Sequence, residues 1–144
     1  MGKQIILNYL LLKNNKPLKV FNDNKDFDHE MEYNNKVVRY EVKTDSKCRT
    51  TGNVAFEIQY KGHPSGMYTT KADYIAYVIP MEKISLIGFI EREKILSILE
   101  ENKISKKYKL HETGGDPGSN TNNVLIPLEE VKKIFNRLVE IKLP

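Results

Sequence analysis

Residues 27–43, Phe27-Asp28-His29-Glu30-Met31-Glu32-Tyr33-Asn34-Asn35-Lys36-Val37-Val38-Arg39-Tyr40-Glu41-Val42-Lys43, read as two alternating segments folded about an Asn-Asn turn. Phe27 to Tyr33 alternates, Val37 to Lys43 alternates again, and a two-residue turn between them makes a β-hairpin. Side chains two apart share a face of a strand. Asp26, Asp28, Glu30 and Glu32 therefore line one face of the first arm, and Glu41 and Lys43 line one face of the second. With Tyr33 opposite Lys36, counting back places Asp28 across from Glu41 and Asp26 across from Lys43. Two carboxylates so placed have Cβ atoms about 5 Å apart and repel unless something positive lies between them. A divalent cation resolves that repulsion, because Mg²⁺ takes a few carboxylates and completes its shell with water and a substrate phosphate. A neighbouring lysine can hold the attacking water or stabilise a developing oxyanion, and Lys43 points the same way as Glu41. Asp28 fits the register and Asp26 keeps a similar spacing; a one-residue change in turn length alters which of them is nearer.

Upstream, Gln4 to Lys13 is apolar on nearly every side, which reads as a short helix laid against a sheet and ended by Asn14, Asn15 and Pro17. Downstream, a polar and basic link from Thr44 to Thr51 leads to a third strand, Asn53 to Tyr60. Gly62, Pro64 and Gly66 break the chain; Thr69 to Asp73 reads as a short helical turn and Tyr74 to Ile79 as a buried strand. A strand at Ile84 to Ile90, a helix at Glu91 to Asn102 and an edge strand at Lys106 to His111 follow. A polar loop from Gly114 to Asn123, a strand at Val124 to Ile126 and a closing helix from Leu128 to Ile141 complete the chain. The order predicts an α/β arrangement around a mixed sheet.

The 144 residues suit one domain, residues 1–144. Lys and Arg number 23 against 19 Asp and Glu, and the resulting +4 is compatible with a nucleic-acid partner without requiring one. The single Cys48 has no partner for an internal disulfide, and His29, His63 and His111 do not combine with it at zinc-ligand spacing, so a reducing, cytoplasmic setting is expected. Ile5 to Leu12 imitates a secretory leader but is followed by no small-residue cleavage site, and Gly2 lacks the Ser or Thr that myristoylation expects at the position held by Ile6. No apolar run reaches the roughly 20 residues of a membrane span.

Asp28, followed by the strand Tyr40-Glu41-Val42-Lys43, resembles the split motif of the PD-(D/E)XK nuclease superfamily, which has the restriction-endonuclease-like fold. The segments Tyr40-Glu41-Val42-Lys43-Thr44-Asp45, Thr51 to Tyr60, Gly62 to Gly66 and Thr69 to Asp73 are similar to small phage-type and virus-type members. The resemblance covers about half the chain and implies an αβββαβ core, from Gln4 to Ile79, with a C-terminal strand and helix added. It further implies that Asp28 and Glu41 bind Mg²⁺ or Mn²⁺, that the Val42 carbonyl completes the metal shell, and that Lys43 is the catalytic lysine. Many members carry a Glu in the first helix; Gln4 to Lys13 has none.

Glu57, mid-strand between Phe56 and Ile58, is the candidate for the missing acid; otherwise it is a solvated residue or a partner for Lys43. Gln59 on the same face is a candidate to orient phosphate or water. Asp45 reads as a strand end or a partner for Lys47 or Arg49. Lys47, Arg49, Thr50 and Thr51 in one loop, with Lys61, His63, Ser65, Thr69, Thr70 and Lys71 in the next, form the expected phosphate-binding surface. His63 serves there as a general acid or a simple donor. Gly114 to Ser119 lacks the Lys and following helix start of a nucleotide-binding loop and reads as a mobile loop, with folding over nucleic acid as the alternative. The expected function is a metal-dependent DNA endonuclease of junction-resolvase, repair or recombination type, acting on both strands only as a homodimer. The alternatives are a non-catalytic nucleic-acid-binding module of the same fold and an RNA-directed nuclease.

Overall fold

The computed structural model describes residues 1–18, 26–113 and 120–142. It is a mixed α/β structure with two sheets and four α-helices among those residues. The elements are α1 (Gly2–Leu12), β1 (Lys16–Pro17), β2 (His29–Tyr33), β3 (Lys36–Thr44), α2 (Cys48–Thr51), β4 (Asn53–Tyr60) and β5 (His63–Pro64). A 3₁₀ turn (Gly66–Tyr68), β6 (Tyr74–Pro80), β7 (Ile84–Glu91), α3 (Arg92–Ser105), β8 (Lys109–Thr113), β9 (Thr121–Pro127), α4 (Leu128–Ile134) and β10 (Arg137–Lys142) follow. The first sheet has the order β1-β2-β3-β6-β7-β10 and is mixed, since β3 and β6 run parallel while its other neighbours are antiparallel. The second, β5-β4-β9-β8, is antiparallel.

The hairpin has the register counted from the sequence. Asn34 and Asn35 take φ of 51° and 64°, the left-handed pair that a tight two-residue hairpin turn needs and that Asn tolerates better than most residues. Tyr33 pairs with Lys36 and His29 with Tyr40. Regular pairing starts at His29, two residues later than the expected strand, although the Asp28 amide still donates to the Tyr40 carbonyl at 2.8 Å.

Strand β6 organises both cores. Ile75, Tyr77 and Ile79 point to one side and Ala76 and Val78 to the other, and all five are buried, as expected of a central strand covered on both faces. On the first side Phe56, Met67, Ile90, Ile95, Leu99, Val124, Ile126, Val131 and Phe135 fill the space beneath the second sheet, α3 and α4. On the other, Ile6 and Leu10 of α1 cover Met31, Tyr40, Val42, Ile87 and Phe89. The start of α1 presses so closely on the end of β3 that a Cβ at Gly2 would run into the Thr44 hydroxyl. That approach brings Lys3 to the hairpin.

Five expectations are corrected. Asn53 to Tyr60 is a strand but leaves the hairpin's sheet: β6, not β4, lies beside β3, and β4 pairs with β5 and β9. Asp45 makes this departure possible. Its Oδ1 accepts from the Lys47 and Cys48 amides at 3.1 and 2.9 Å, and its Oδ2 accepts from the Ala55 amide at 2.8 Å, so a single carboxylate turns the chain through α2 and fastens β4. The expected turn at Thr69 to Asp73 lies earlier, in the 3₁₀ segment Gly66–Tyr68. The edge strand expected from Lys106 starts at Lys109, because α3 runs on to Ser105 and ends with Lys106 in left-handed backbone. The closing helix stops at Ile134 and Arg137–Lys142 is a strand. The free edge of β7 offers that segment a six-residue ladder, and Leu138 then faces one core while Val139 and Ile141 face the other. Asn136 anchors the switch: its Oδ1 accepts from the Glu91 amide at 2.9 Å and its own amide donates to the Phe89 carbonyl at 2.9 Å. Of the expected polar loop, Thr121, Asn122 and Asn123 belong to β9, and residues 114–119 lie outside the described residues. Among the described residues no helix is long and apolar enough to cross a membrane.

Candidate functional site

Asp28 and Glu41 stand opposite each other where the hairpin ladder ends. The Asp28 side chain is 13 % exposed; its Oδ2 accepts from the Val42 amide at 2.7 Å and its Oδ1 meets the Lys3 ammonium at 3.0 Å. The N–H and C=O of a strand residue point to the same edge, so the Val42 carbonyl also faces the Asp28 side. Glu41 is nearly as buried. Its Oε1 lies 3.7 Å from the Lys43 Nζ, and its Oε2 lies 3.3 Å from the Thr70 hydroxyl. That hydroxyl is also 3.0 Å from the Asp26 carbonyl, so its one proton is shared between two acceptors.

Two carboxylates thus face two ammonium groups. Burial pushes the Glu41 carboxyl above its usual range and the Asp28 charge adds to the effect, against opposing contributions from Lys43, Thr70 and Lys3. The Lys3 amine moves up, held protonated by its hydrogen bond to Asp28. A carboxyl whose pKa rises on folding favours the folded state when protonated, and that contribution is lost as pH climbs from the ordinary Glu value to the raised one. Glu41→Gln is therefore expected to raise the melting temperature at pH 7 relative to wild type, with the difference disappearing below pH 4. Parallel melts across that range check it; a variant less stable than wild type at pH 7 would contradict the assignment of strain to Glu41.

Beside Lys43 opens a groove of about 500 Å³ between the end of β3 and one face of the second sheet. Alternation puts Asn53, Ala55 and Glu57 of β4, Thr121, Asn123 and Leu125 of β9, and Lys109 and His111 of β8 on that face. Register aligns Glu57, Asn123 and His111 in one row across three strands. Lys47 and Thr51 line the groove from the α2 segment.

The expected site residues are therefore sorted into separate places. Asp28, Glu41 and Lys43 come together, with Val42 beneath them. Glu57 lies in the groove with Lys43, on the face of the second sheet. The Asp26 carboxylate meets Lys71, whose Nζ is 3.8 Å away. Of the expected phosphate surface, Lys47 and Thr51 line the groove, whereas Thr70 is buried as a partner of Glu41 and Lys71 is paired with Asp26. Lys61 and His63 lie at the far hairpin of β4 and β5, with Lys61 over the Tyr60 ring. Ser65 and Thr69 flank the 3₁₀ turn, where the buried Ser65 hydroxyl has no hydrogen-bond partner among the described residues, and Arg49 is exposed on α2 outside the groove lining. Gln59 is hydrogen-bonded to Asn122 at 2.7 Å. Asp45 caps α2 rather than pairing with Lys47 or Arg49 through its charge. Cys48 is buried and its thiol is pushed up to about 11, chiefly by burial and then by Asp45, which removes it as a nucleophile at neutral pH.

Lys3, Lys109, His111, Asn53, Thr121 and Asn123 were not singled out in the sequence. The alternation of Lys109 and His111 was a usable signal; the approach of Lys3 to Asp28 had none, since 25 residues separate them.

Among the described residues no group of three or more His, Cys, Asp or Glu side chains is placed to hold a metal ion. No protein-family model matches the chain, and comparison with curated proteins and with solved structures gave no match to either.

Proposed function

We propose that the chain is a metal-dependent phosphodiesterase that hydrolyses nucleic acid, DNA in the first instance. The reading rests on one observation: Asp28, Glu41 and Lys43 converge beside a groove whose cations and amides match a phosphate backbone. The helix α1 packed on a sheet in which β6 runs parallel to β3 is compatible with a restriction-endonuclease-like core, although Asn53–Tyr60 is not a strand of that sheet and the two-residue β1 lies at its edge beside β2.

The donor set suits a hard cation. Asp28, Glu41 and the Val42 carbonyl are all oxygen donors. When bound, Mg²⁺ or Mn²⁺ would activate water and neutralise charge on the phosphodiester. Lys43 reaches both Glu41 and the groove, so its ammonium can stabilise the oxyanion that develops on the scissile phosphate. Thr70 holds Glu41 in place from behind. Lys47 and Lys109 would carry phosphates along the groove, with Asn53, Thr121 and Asn123 as neutral donors. A single carboxylate pair cuts one strand, so cleavage of both strands would require a dimer.

A panel of single-stranded, duplex and branched DNA and RNA, incubated with Mg²⁺ or Mn²⁺, tests the reading. Cleavage of DNA with either ion, lost in Asp28→Asn together with the calorimetric heat of Mg²⁺ binding, supports it; cleavage confined to RNA transfers the substrate. Binding without cleavage on every substrate would overturn it in favour of the non-catalytic module, which the Lys3–Asp28 ion pair favours because an internal ammonium then takes the place of the metal. For nucleic-acid binding in the groove, Lys47→Gln and Lys109→Gln should each reduce the slope of log K against log salt by about 0.9, one phosphate contact apiece. Unchanged slopes would place the strand elsewhere.

A further inference from the structure

The α1 side of the first sheet holds a second cavity, of about 620 Å³. Five aromatic rings contribute to its walls: Tyr9 from α1, Tyr33 from β2, Tyr40 from β3, Tyr74 from β6 and Phe89 from β7. Tyr40 and Tyr74 have ring centroids 5.9 Å apart and planes inclined by 27°, and Phe89 meets Tyr40 edge-on at 5.9 Å. Tyr33 remains 46 % exposed, so part of its surface is accessible to a ligand in the cavity.

Lys13 and Arg137 bring positive charge to the same cavity and lie 5.8 and 5.6 Å from the Tyr9 ring centroid. Neither has a carboxylate partner among the described residues, and no described residue lining the cavity is acidic. Two cations with no acid disfavour a cationic ligand. A purely apolar one would leave both without a counter-charge. A planar ring stacks on tyrosine with any base face, and an anionic group attached to it uses Lys13 and Arg137.

We propose that this cavity binds the base and phosphate of a nucleotide. Tyr40 and Glu41 are neighbours on β3 that point to opposite faces, so the site lies behind the carboxylate pair and does not rest on the phosphodiesterase reading.

Calorimetric titration with AMP, adenosine and a 5′-phosphorylated tetrathymidylate tests the proposal. AMP should bind at least fivefold more tightly than adenosine. Lys13→Gln and Arg137→Gln should each weaken AMP roughly fivefold, and Tyr33→Ser roughly tenfold; all three positions are exposed, and overlapping thermal melts verify that the variants fold. Lys43→Ala and Lys109→Gln, on the opposite side, should leave AMP binding unchanged. Tetrathymidylate binding more tightly than AMP identifies a strand terminus as the source, and the reverse order a free nucleotide. No heat with AMP or tetrathymidylate at millimolar concentration would overturn the proposal. So would affinities unaltered in both Arg137→Gln and Tyr33→Ser, or binding of a proline-rich peptide in place of either nucleotide probe.

Discussion

Lys43→Ala is expected to cut the rate of phosphodiester cleavage by roughly 10²- to 10³-fold, the range seen when one preorganised donor to a developing oxyanion is removed. The Nζ lies 3.7 Å from Glu41 and the side chain, 33 % exposed, is oriented to the groove, so its charge can act on a bound phosphate rather than being spent on a buried ion pair. The ion pair itself is partly exposed and contributes little to stability, so the melting temperature should hardly move. Mg²⁺ affinity should stay close to wild type or rise slightly, because a competing cation has been taken from Glu41. Single-turnover rates and a calorimetric Mg²⁺ titration on the same preparation separate the two effects. An undiminished rate would remove Lys43 from the chemistry, while loss of metal binding along with the rate would make it a support for the carboxylates instead.

The largest effect on folding is expected at Asp45. Three amide groups, on Lys47, Cys48 and Ala55, donate to its two oxygens, and the residue is buried. Alanine leaves those donors without an acceptor at the point where the chain passes from the first sheet to the second. Unsatisfied buried donors cost about 1–3 kcal/mol each. Allowing for water reaching the partly exposed ones, Asp45→Ala should lose about 3 kcal/mol, a fall of about 10 °C in melting temperature for a chain of this size. Asp45→Asn keeps one acceptor oxygen and should recover part of the loss. A fall under 3 °C for the alanine variant would show that the carboxylate is not what joins β3 to β4. The Tyr77 hydroxyl, which donates to the Ala55 carbonyl at 2.8 Å, would then be the stronger tie between the sheets.

The Lys3–Asp28 pair complicates any simple reading of the carboxylates. The first helix presents an ammonium to Asp28 and contributes no acid to the site. The Lys3 side chain is 68 % accessible, so the pair is partly screened by solvent. Its ammonium offsets part of the repulsion between Asp28 and Glu41.

Contacts between neighbours in the chain were legible from residue order. The hairpin between His29 and Thr44, its left-handed Asn34-Asn35 turn and the juxtaposition of Asp28 with Glu41 follow from a turn whose length can be counted and from a two-residue side-chain period. Lys43 shares the face of Glu41 for the same reason. The pairing of β6 with β3, the migration of β4 into another sheet and the conversion of Arg137–Lys142 from helix to strand could not be counted, because each depends on which sheet edge lies free and which faces need cover once remote segments meet. Val131, Ile134, Phe135 and Leu138 fit a helix as well as a helix followed by a strand, and only the open edge of β7 chose between them. The groove was invisible for that reason too. Lys109 and His111 share a groove with Lys43 only because β8 pairs with β9 and β9 with β4, and Lys3 reaches Asp28 only because α1 packs across the hairpin.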